Sequence, residues 1–478
     1  MSPAPPAALP RWALIVDFIF LLLIVIAVIV ALSGGFRVRI LGVRLGLTSP
    51  VRLLFWAGAL TTLRHLLAPG TPIFRGLPIR LAAAWRLPAV RTAVASLIGT
   101  RVAVLFVGYL AVSMLGFQPG APPWRIVENE FGNLQARWDT GWYLGIAVEG
   151  YAYGDLGPDE QQNIVFFPAL PILMRGAGRL LGGTSTAYLA GGTVVVLFSF
   201  LGGLVYLYRF ARDVLEDREQ AKRVVWLLAA YPFALYYSAV YTESIYLLGA
   251  VGAFYHFRRR ELWKAGAWGL LVGLTRPNGC FLSIPLGLLA ITPWLPAWLA
   301  GGRRDSEPGD WRSAVPSLAA AAMPGIGVLL YTAYVWQVTG DPLAWAAGHA
   351  AWGRSYQGLS IVVTDRFEYL ARAGLYSYSS NSPYDLLQAL GVVFVLVAAW
   401  PVARRLGLAY AVFILINILP PIAVGQLLSA GRFSSVLFPA FVWLGAVVTT
   451  RHWPGWLASF MAVQALNAAL FYTWRPMF

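Results

Sequence analysis

The chain has 478 residues, 58% hydrophobic and only 12% charged, about half the charged share of an ordinary soluble domain, which excludes a water-soluble enzyme. Its net charge of +15 reads as arginines retained on the cytoplasmic side of a bilayer, and nucleic-acid binding is excluded because no basic stretch is hydrophilic enough to stand free in water. The lone Cys280 excludes an internal disulfide framework and a thiolate-rich metal site, and since neither Lys222 nor Lys264 follows a glycine, there is no Gly-Lys-Ser/Thr phosphate loop and no ATP-driven transport by this chain.

Segment 14–32 is an apolar run of the length a bilayer demands, about 20 residues, and it is too poorly flanked for a cleaved signal peptide. Further spans are expected at 51–68, 101–117, 186–208, 224–238, 242–257, 264–275, 280–299, 313–336, 386–402, 407–424, 434–450 and 455–473. The expected fold is therefore an all-α polytopic membrane protein with about 11–13 transmembrane helices. Three parts are expected: N-terminal membrane helices and a basic segment (1–100), a catalytic membrane domain (101–450) and a C-terminal membrane helix (451–478).

Basic residues set the orientation. Arg75, Arg80, Arg86, Arg91 and Arg101 mark one inside loop, Arg209, Arg212, Lys222 and Arg223 a second, Arg258 to Arg260 with Lys264 a third, Arg303 and Arg304 a fourth, Arg404 and Arg405 a fifth. The large loop 118–162, with Glu128, Glu130, Asp139, Glu149, Asp155, Asp159 and Glu160 against Arg125 and Arg137, then lies outside, as does 337–385. Segment 163–181 holds Pro168, Pro171, Arg175 and Arg179 and is expected to lie along the outer interface as a juxtamembrane helix. Parity puts Arg37, Arg39, Arg44 and Arg52 outside against the rule, which leaves the orientation of the first two spans open. Gly191-Gly192 and Gly202-Gly203 follow no strand and read as close helix packing.

Several outer residues can carry chemistry. Arg137-Trp138-Asp139-Thr140-Gly141-Trp142-Tyr143 sets one carboxylate among three large aromatics, suited to gripping a sugar beside an acid or base, with an interfacial aromatic belt as the competing reading. Glu128-Asn129-Glu130 has a form that can hold a divalent cation, though solvated loop charge explains it as well. Glu243, at the turn inside the apolar stretch 224–257, falls at the outer rim as a membrane-embedded acid. In Thr275-Arg276-Pro277-Asn278-Gly279 the helix breaks and offers a guanidinium to an anion or to the interface. His349, Arg354 and Arg432 add an imidazole and two guanidiniums able to contact a phosphate. Asp17 reads as a charge at a helix end.

Arg137-Trp138-Asp139, Trp142-Tyr143, Gly150-Tyr151, Asn163-Ile164-Val165-Phe166-Phe167-Pro168, Tyr231-Pro232-Phe233, Ala239 through Ser244 and Leu274 through Gly279 resemble, in order and spacing, the PIG-V family of mannosyltransferases in the GT-C superfamily. The resemblance covers about 101–450. It implies a multi-span GT-C enzyme with a large first outer loop (118–185), using mannose carried on a polyprenyl phosphate at the extracytoplasmic face. The Arg- and Ala-rich composition points to a high-GC bacterium, where the family's eukaryotic acceptor is not expected, so the acceptor is a lipid or lipid-linked glycan. Asp139 then falls to the base and Glu243 to positioning. Arg276, Arg432, Arg354 and His349 fall to the donor phosphate, and Trp138, Trp142, Tyr143, Asn163 and Asn278 to sugar or acceptor. No cofactor is required, and a divalent cation is permitted. The rival class is a transporter or flippase of lipid-linked sugars, which predicts polar groups at the bilayer midplane and a path inward.

Overall fold

The computed structural model describes residues 10–33, 36–40, 43–47, 49–68, 82–122, 124–154, 160–294 and 311–475. Arg75, Arg80, Asp155, Asp159, Arg303 and Arg304 lie outside the described residues.

Helix α1 (Arg11–Ser33) and α2 (Pro50–Leu67) pair as a hairpin, joined through two short antiparallel strands, β1 (Phe36–Ile40) and β2 (Val43–Leu47), in an otherwise helical fold. Asp17 on α1 meets Arg64 on α2 at 2.9 Å, both buried. A buried charge in an apolar hairpin needs such a partner, so Asp17 is a clasp and not a helix-end charge. Next come α3 (Pro88–Leu115), the loop helix α4 (Thr140–Val148), α5 (Ala169–Leu180) and α6 (Ser185–Leu215). The 163–181 segment is helical as expected, burying Leu170 and Met174 while exposing Ile172 and Leu173. It lies against α6 so closely that a Cβ on Gly191 would stand 2.7 Å from the Gly178 backbone, which is the packing read from the glycine pairs.

The chain continues through α7 (Arg218–Ala230), α8 (Glu243–Arg258), α9 (Leu262–Gly273), α10 (Ser283–Ile291) and α11 (Val315–Thr339). It ends with α12 (Leu359–Asn381), α13 (Pro383–Arg405), α14 (Leu408–Gly425), α15 (Ala430–Ser435), α16 (Phe438–Val447) and α17 (Trp453–Tyr472). Each expected span contains helix, although regular helix ends at Ala230 within 224–238 and residues 295–299 of the span 280–299 lie outside the described residues. Among the described residues α3, α6, α11, α13 and α17 are long and apolar enough to cross a membrane, so the chain is an integral membrane protein.

Helices α8 and α9 have 16 and 12 residues, about 24 and 18 Å of helix, short of the ~30 Å hydrocarbon core. Their breaks lie inside the protein. Between α7 and α8, residues 233–242 are almost wholly buried, with a short 3-10 turn at Ala234–Tyr237. Irregular backbone at that depth needs internal hydrogen-bond partners. Arg101 supplies several: its guanidinium donates to the carbonyls of Ala234 and Ala229, the latter at 2.8 Å, and to Ser238 Oγ at 3.0 Å. Gln464 donates to the carbonyls of Ala229 and Tyr231, and Asn467 to that of Pro232. Arg101 is therefore no loop marker: it is 2% exposed, halfway along α3.

Replacing Arg101 by Leu takes the guanidinium away from two buried groups, the Ala234 carbonyl and Ser238 Oγ, while the Ala229 carbonyl keeps Gln464. At about 1–3 kcal/mol per group, the protein should lose about 2–6 kcal/mol of stability. A clear fall in the melting temperature in detergent checks this, and an unchanged melting temperature contradicts it.

Candidate active site

Three broken places and one loop converge on a cavity of about 790 Å³. The loop brings Asp139, at the start of α4, where Trp138 adopts a left-handed φ of 52°. That conformation is costly for a bulky side chain and is held by the surroundings. The Trp138 indole donates to the Phe471 carbonyl at 3.0 Å and lies 4.9 Å from the Trp474 ring, while the Asp139 N–H donates to the Tyr241 hydroxyl at 3.0 Å. The carboxylate is thus aimed from both sides.

Glu243 opens α8 at the buried break, and Arg276 precedes the 3-10 turn Pro277–Leu282, where a Cβ on Gly279 would meet the Val272 carbonyl at 2.3 Å. The Thr-Arg-Pro-Asn-Gly break is therefore built as its residues require. Arg432 sits on α15, just after Ser429 in the left-handed region. The four charges form a ladder. Asp139 Oδ2 accepts from Arg432 Nη1 at 3.1 Å, Arg432 Nε lies 3.3 Å from Glu243 Oε1, and Arg276 Nη2 lies 3.4 Å from that same oxygen. Glu243 is 1% exposed, so the acid expected at an outer rim is instead enclosed by protein. The Arg276 guanidinium lies 4.4 Å from the Tyr246 ring centroid and that of Arg432 5.4 Å from Tyr241, contacts that favour a cation in a dry site.

Arg354 completes the lining, its guanidinium 5.5 Å from the Phe433 ring. Burial, then the nearby Arg432, pulls its pKa down to about 10, so it stays cationic at neutral pH. His349 also faces the cavity. Its Nδ1 stands 2.7 Å from the Trp345 carbonyl, which can only accept, so Nδ1 carries the proton. Burial lowers its pKa. The neutral ring then presents Nε2 as an acceptor, which suits a hydroxyl and not the phosphate oxygen foreseen for it.

Of the aromatic and amide residues expected on sugar or acceptor, Tyr143 and Asn278 line the cavity. Asn278 donates to Asn417 Oδ1 at 3.1 Å, an oxygen shared with the Tyr246 hydroxyl. Trp142 stands behind the wall, stacked on Phe166 and edge-on to Trp352. Trp138 anchors the loop to α17, and Asn163 closes its own loop, accepting from Ala152 N–H and donating to the Gly150 carbonyl. Glu128 is exposed, whereas Glu130 is taken up by Arg125 and Arg137. Among the described residues no three His, Cys, Asp or Glu are grouped to hold a metal ion. Tyr246 went unnoticed in the sequence, although its position three residues after Glu243 puts both on one helix face.

The fold and site define a polytopic helical membrane protein with a buried, cation-rich cavity fed by broken helices. Residues 121–287 match the family model described as Mannosyltransferase (PIG-V), which confirms over that stretch the family resemblance carried by the motifs. Arg354 and Arg432 lie beyond the matched stretch. No curated protein matches the chain. Solved structures of the Archaeoglobus fulgidus oligosaccharyltransferase align with 78% of this chain: one in complex with Zn and sulfate at 14% identity and a TM-score of 0.34, another with an inhibitory peptide and a dolichol-phosphate at 13% and 0.37. The chain spans 52% and 55% of the length of those two structures.

Glu243→Gln leaves Arg276 and Arg432 buried without their shared counter-ion and should cost about 3–5 kcal/mol. Asp139→Asn, at a carboxylate 27% exposed, should cost far less. Thermal unfolding of both variants in one detergent checks the order.

Proposed function

We propose that the protein is an inverting mannosyltransferase of GT-C type that takes mannose from a polyprenyl-phosphate-mannose donor and passes it to a lipid-linked glycan or glycolipid on the extracytoplasmic face of a bacterial cytoplasmic membrane. The observation that carries this reading is the unspent donor capacity of Arg276. Its guanidinium is buried at the cavity, yet among the described residues Nε has no hydrogen-bond partner and Nη2 makes only the long ion contact to Glu243. A buried unsatisfied donor costs about 1–3 kcal/mol or more, which a bound anion would remove. Three guanidiniums face two carboxylates on the cavity wall, so one further negative charge balances the site, as a phosphodiester provides. The match to the mannosyltransferase family model supports the sugar.

The chemistry is a single displacement. The acceptor hydroxyl oxygen bonds to the anomeric carbon as the bond from that carbon to the phosphate oxygen breaks, its electron pair leaving with the phosphate. Asp139 takes the hydroxyl proton: one of its oxygens is held by Arg432, and no hydrogen bond among the described residues reaches the other. Arg276, Arg432 and Arg354 stabilise the charge growing on the departing phosphate. A phosphate competing for Arg432 also frees Asp139 to accept the proton, so donor binding and base activation are coupled. Glu243 holds Arg276 and Arg432 in place. The guanidiniums can supply the stabilisation a metal ion gives elsewhere, and a divalent cation is compatible but not required.

The test uses detergent-purified protein, radiolabelled polyprenyl-phosphate-mannose and membrane lipids of the producing organism. Asp139→Asn should lower transfer by about two to four orders of magnitude while donor affinity holds or rises as Arg432 is freed, and near-normal turnover would move the base elsewhere. Arg276→Lys keeps the charge but loses the two-pronged contact. Its kcat should fall more than its donor affinity, and full activity would remove Arg276 from the phosphate site.

A further inference from the structure

A second pocket of about 410 Å³ adjoins the cavity, and Trp352, Gly353 and Leu428 line both. Its chemistry differs from its neighbour's. Among the described residues its charged groups are Arg366 and Asp385, which neutralise each other in a two-pronged contact, Nε to Oδ2 at 2.8 Å and Nη2 to Oδ1 at 2.5 Å. Tyr378 donates a further hydrogen bond to the same carboxylate. Gln426 Nε2 donates to Gln357 Oε1 at 2.5 Å, so the pair is oriented and still offers amide donors and an acceptor. An anion would find no spare positive charge here. A neutral ligand rich in hydroxyls would find fixed donors and acceptors at the foot of an aromatic wall, the balance of one apolar face and convergent polar groups that a carbohydrate ring presents in return. The pocket is also mechanically tied to the charge ladder, because Gln388 on its wall accepts from the Gly431 N–H, next to Arg432.

Resting on the transferase reading, we infer that this pocket is the acceptor subsite: it binds an uncharged sugar ring of the acceptor through the Gln357–Gln426 pair and Asp385, against Trp352, with the reacting hydroxyl directed past Gly353 toward Asp139. Charge thus sorts the substrates, the phosphate-bearing donor going to the cationic cavity and the neutral glycan to the neutral pocket.

The probes are octyl mannoside and octyl glucoside as acceptors and citronellyl-phosphate-mannose as donor, each titrated by calorimetry against the full-length protein and then used in transfer assays. Gln357→Ala and Gln426→Ala should each weaken glycoside binding and raise the glycoside KM at least tenfold, with donor affinity and donor hydrolysis by water within twofold of the unmutated protein. Unchanged glycoside affinity in both glutamine variants, equal loss of donor and glycoside binding, or no binding of either glycoside by the unmutated protein overturns the assignment. A protein that binds glycoside as described yet transfers no mannose defeats the transferase reading instead, so the two failures are separable.

Discussion

A carboxylate that is 1% exposed cannot keep its charge alone, and Glu243 is in that position. Its neighbours are two guanidiniums, and each comes from a place where regular helix is interrupted: Arg276 from the break after α9, Arg432 from the short α15. Most of the architecture follows from bringing these three together. Helices α8 and α9 must stop short, and the freed backbone must be enclosed by α3, α17 and the loop that carries Asp139. Asp139 then joins the ladder through Arg432, which couples the loop to the breaks.

The surroundings keep such a cluster worth its cost. Tyrosine rings cover one face of the Arg276 and Arg432 guanidiniums while still attracting the cation, so each charge meets the cavity from the other side. Cations prepared in this way act strongly on charge that develops nearby. The adjoining pocket shows the opposite design, with its one cation already answered by Asp385. Two compartments of different electrostatic character, separated by Trp352 and Gly353, suit a reaction that joins a charged and an uncharged reactant.

The helices were legible in the sequence because apolar length is a direct record of bilayer thickness. The break at Pro277-Asn278-Gly279 was equally plain, since proline and glycine disrupt helices by covalent geometry. Asp139, Glu243, Arg276, Arg354 and Arg432 line one cavity, and the reading from the arginine-rich loops groups the same residues. Depth was not legible: hydropathy cannot tell a rim from a buried turn, so Glu243 and Arg101 were both read too close to water. Pairings between distant residues, such as Asp17 with Arg64, leave no local trace. The same holds for His349, whose role turns on which nitrogen meets the Trp345 carbonyl, and for Asn163, whose amide is consumed by its own loop.

Arg101 has a consequence for how the protein is made. It stands at the middle of an otherwise apolar span, where an arginine costs about 2.5–3.5 kcal/mol on insertion. Its partners Ala229, Ala234 and Gln464 lie 128, 133 and 363 residues further on, so none has been synthesised when that span leaves the ribosome. The span must first enter the bilayer on its apolar content, with the guanidinium drawn toward the headgroups, and exchange lipid for protein partners only later. Gln464 and Asn467 on α17 satisfy the carbonyls of Ala229, Tyr231 and Pro232, so the break is closed only once α17 has been made. A nascent chain that stalls before it leaves the interrupted backbone open in the membrane, a recognisable mark for quality-control proteases.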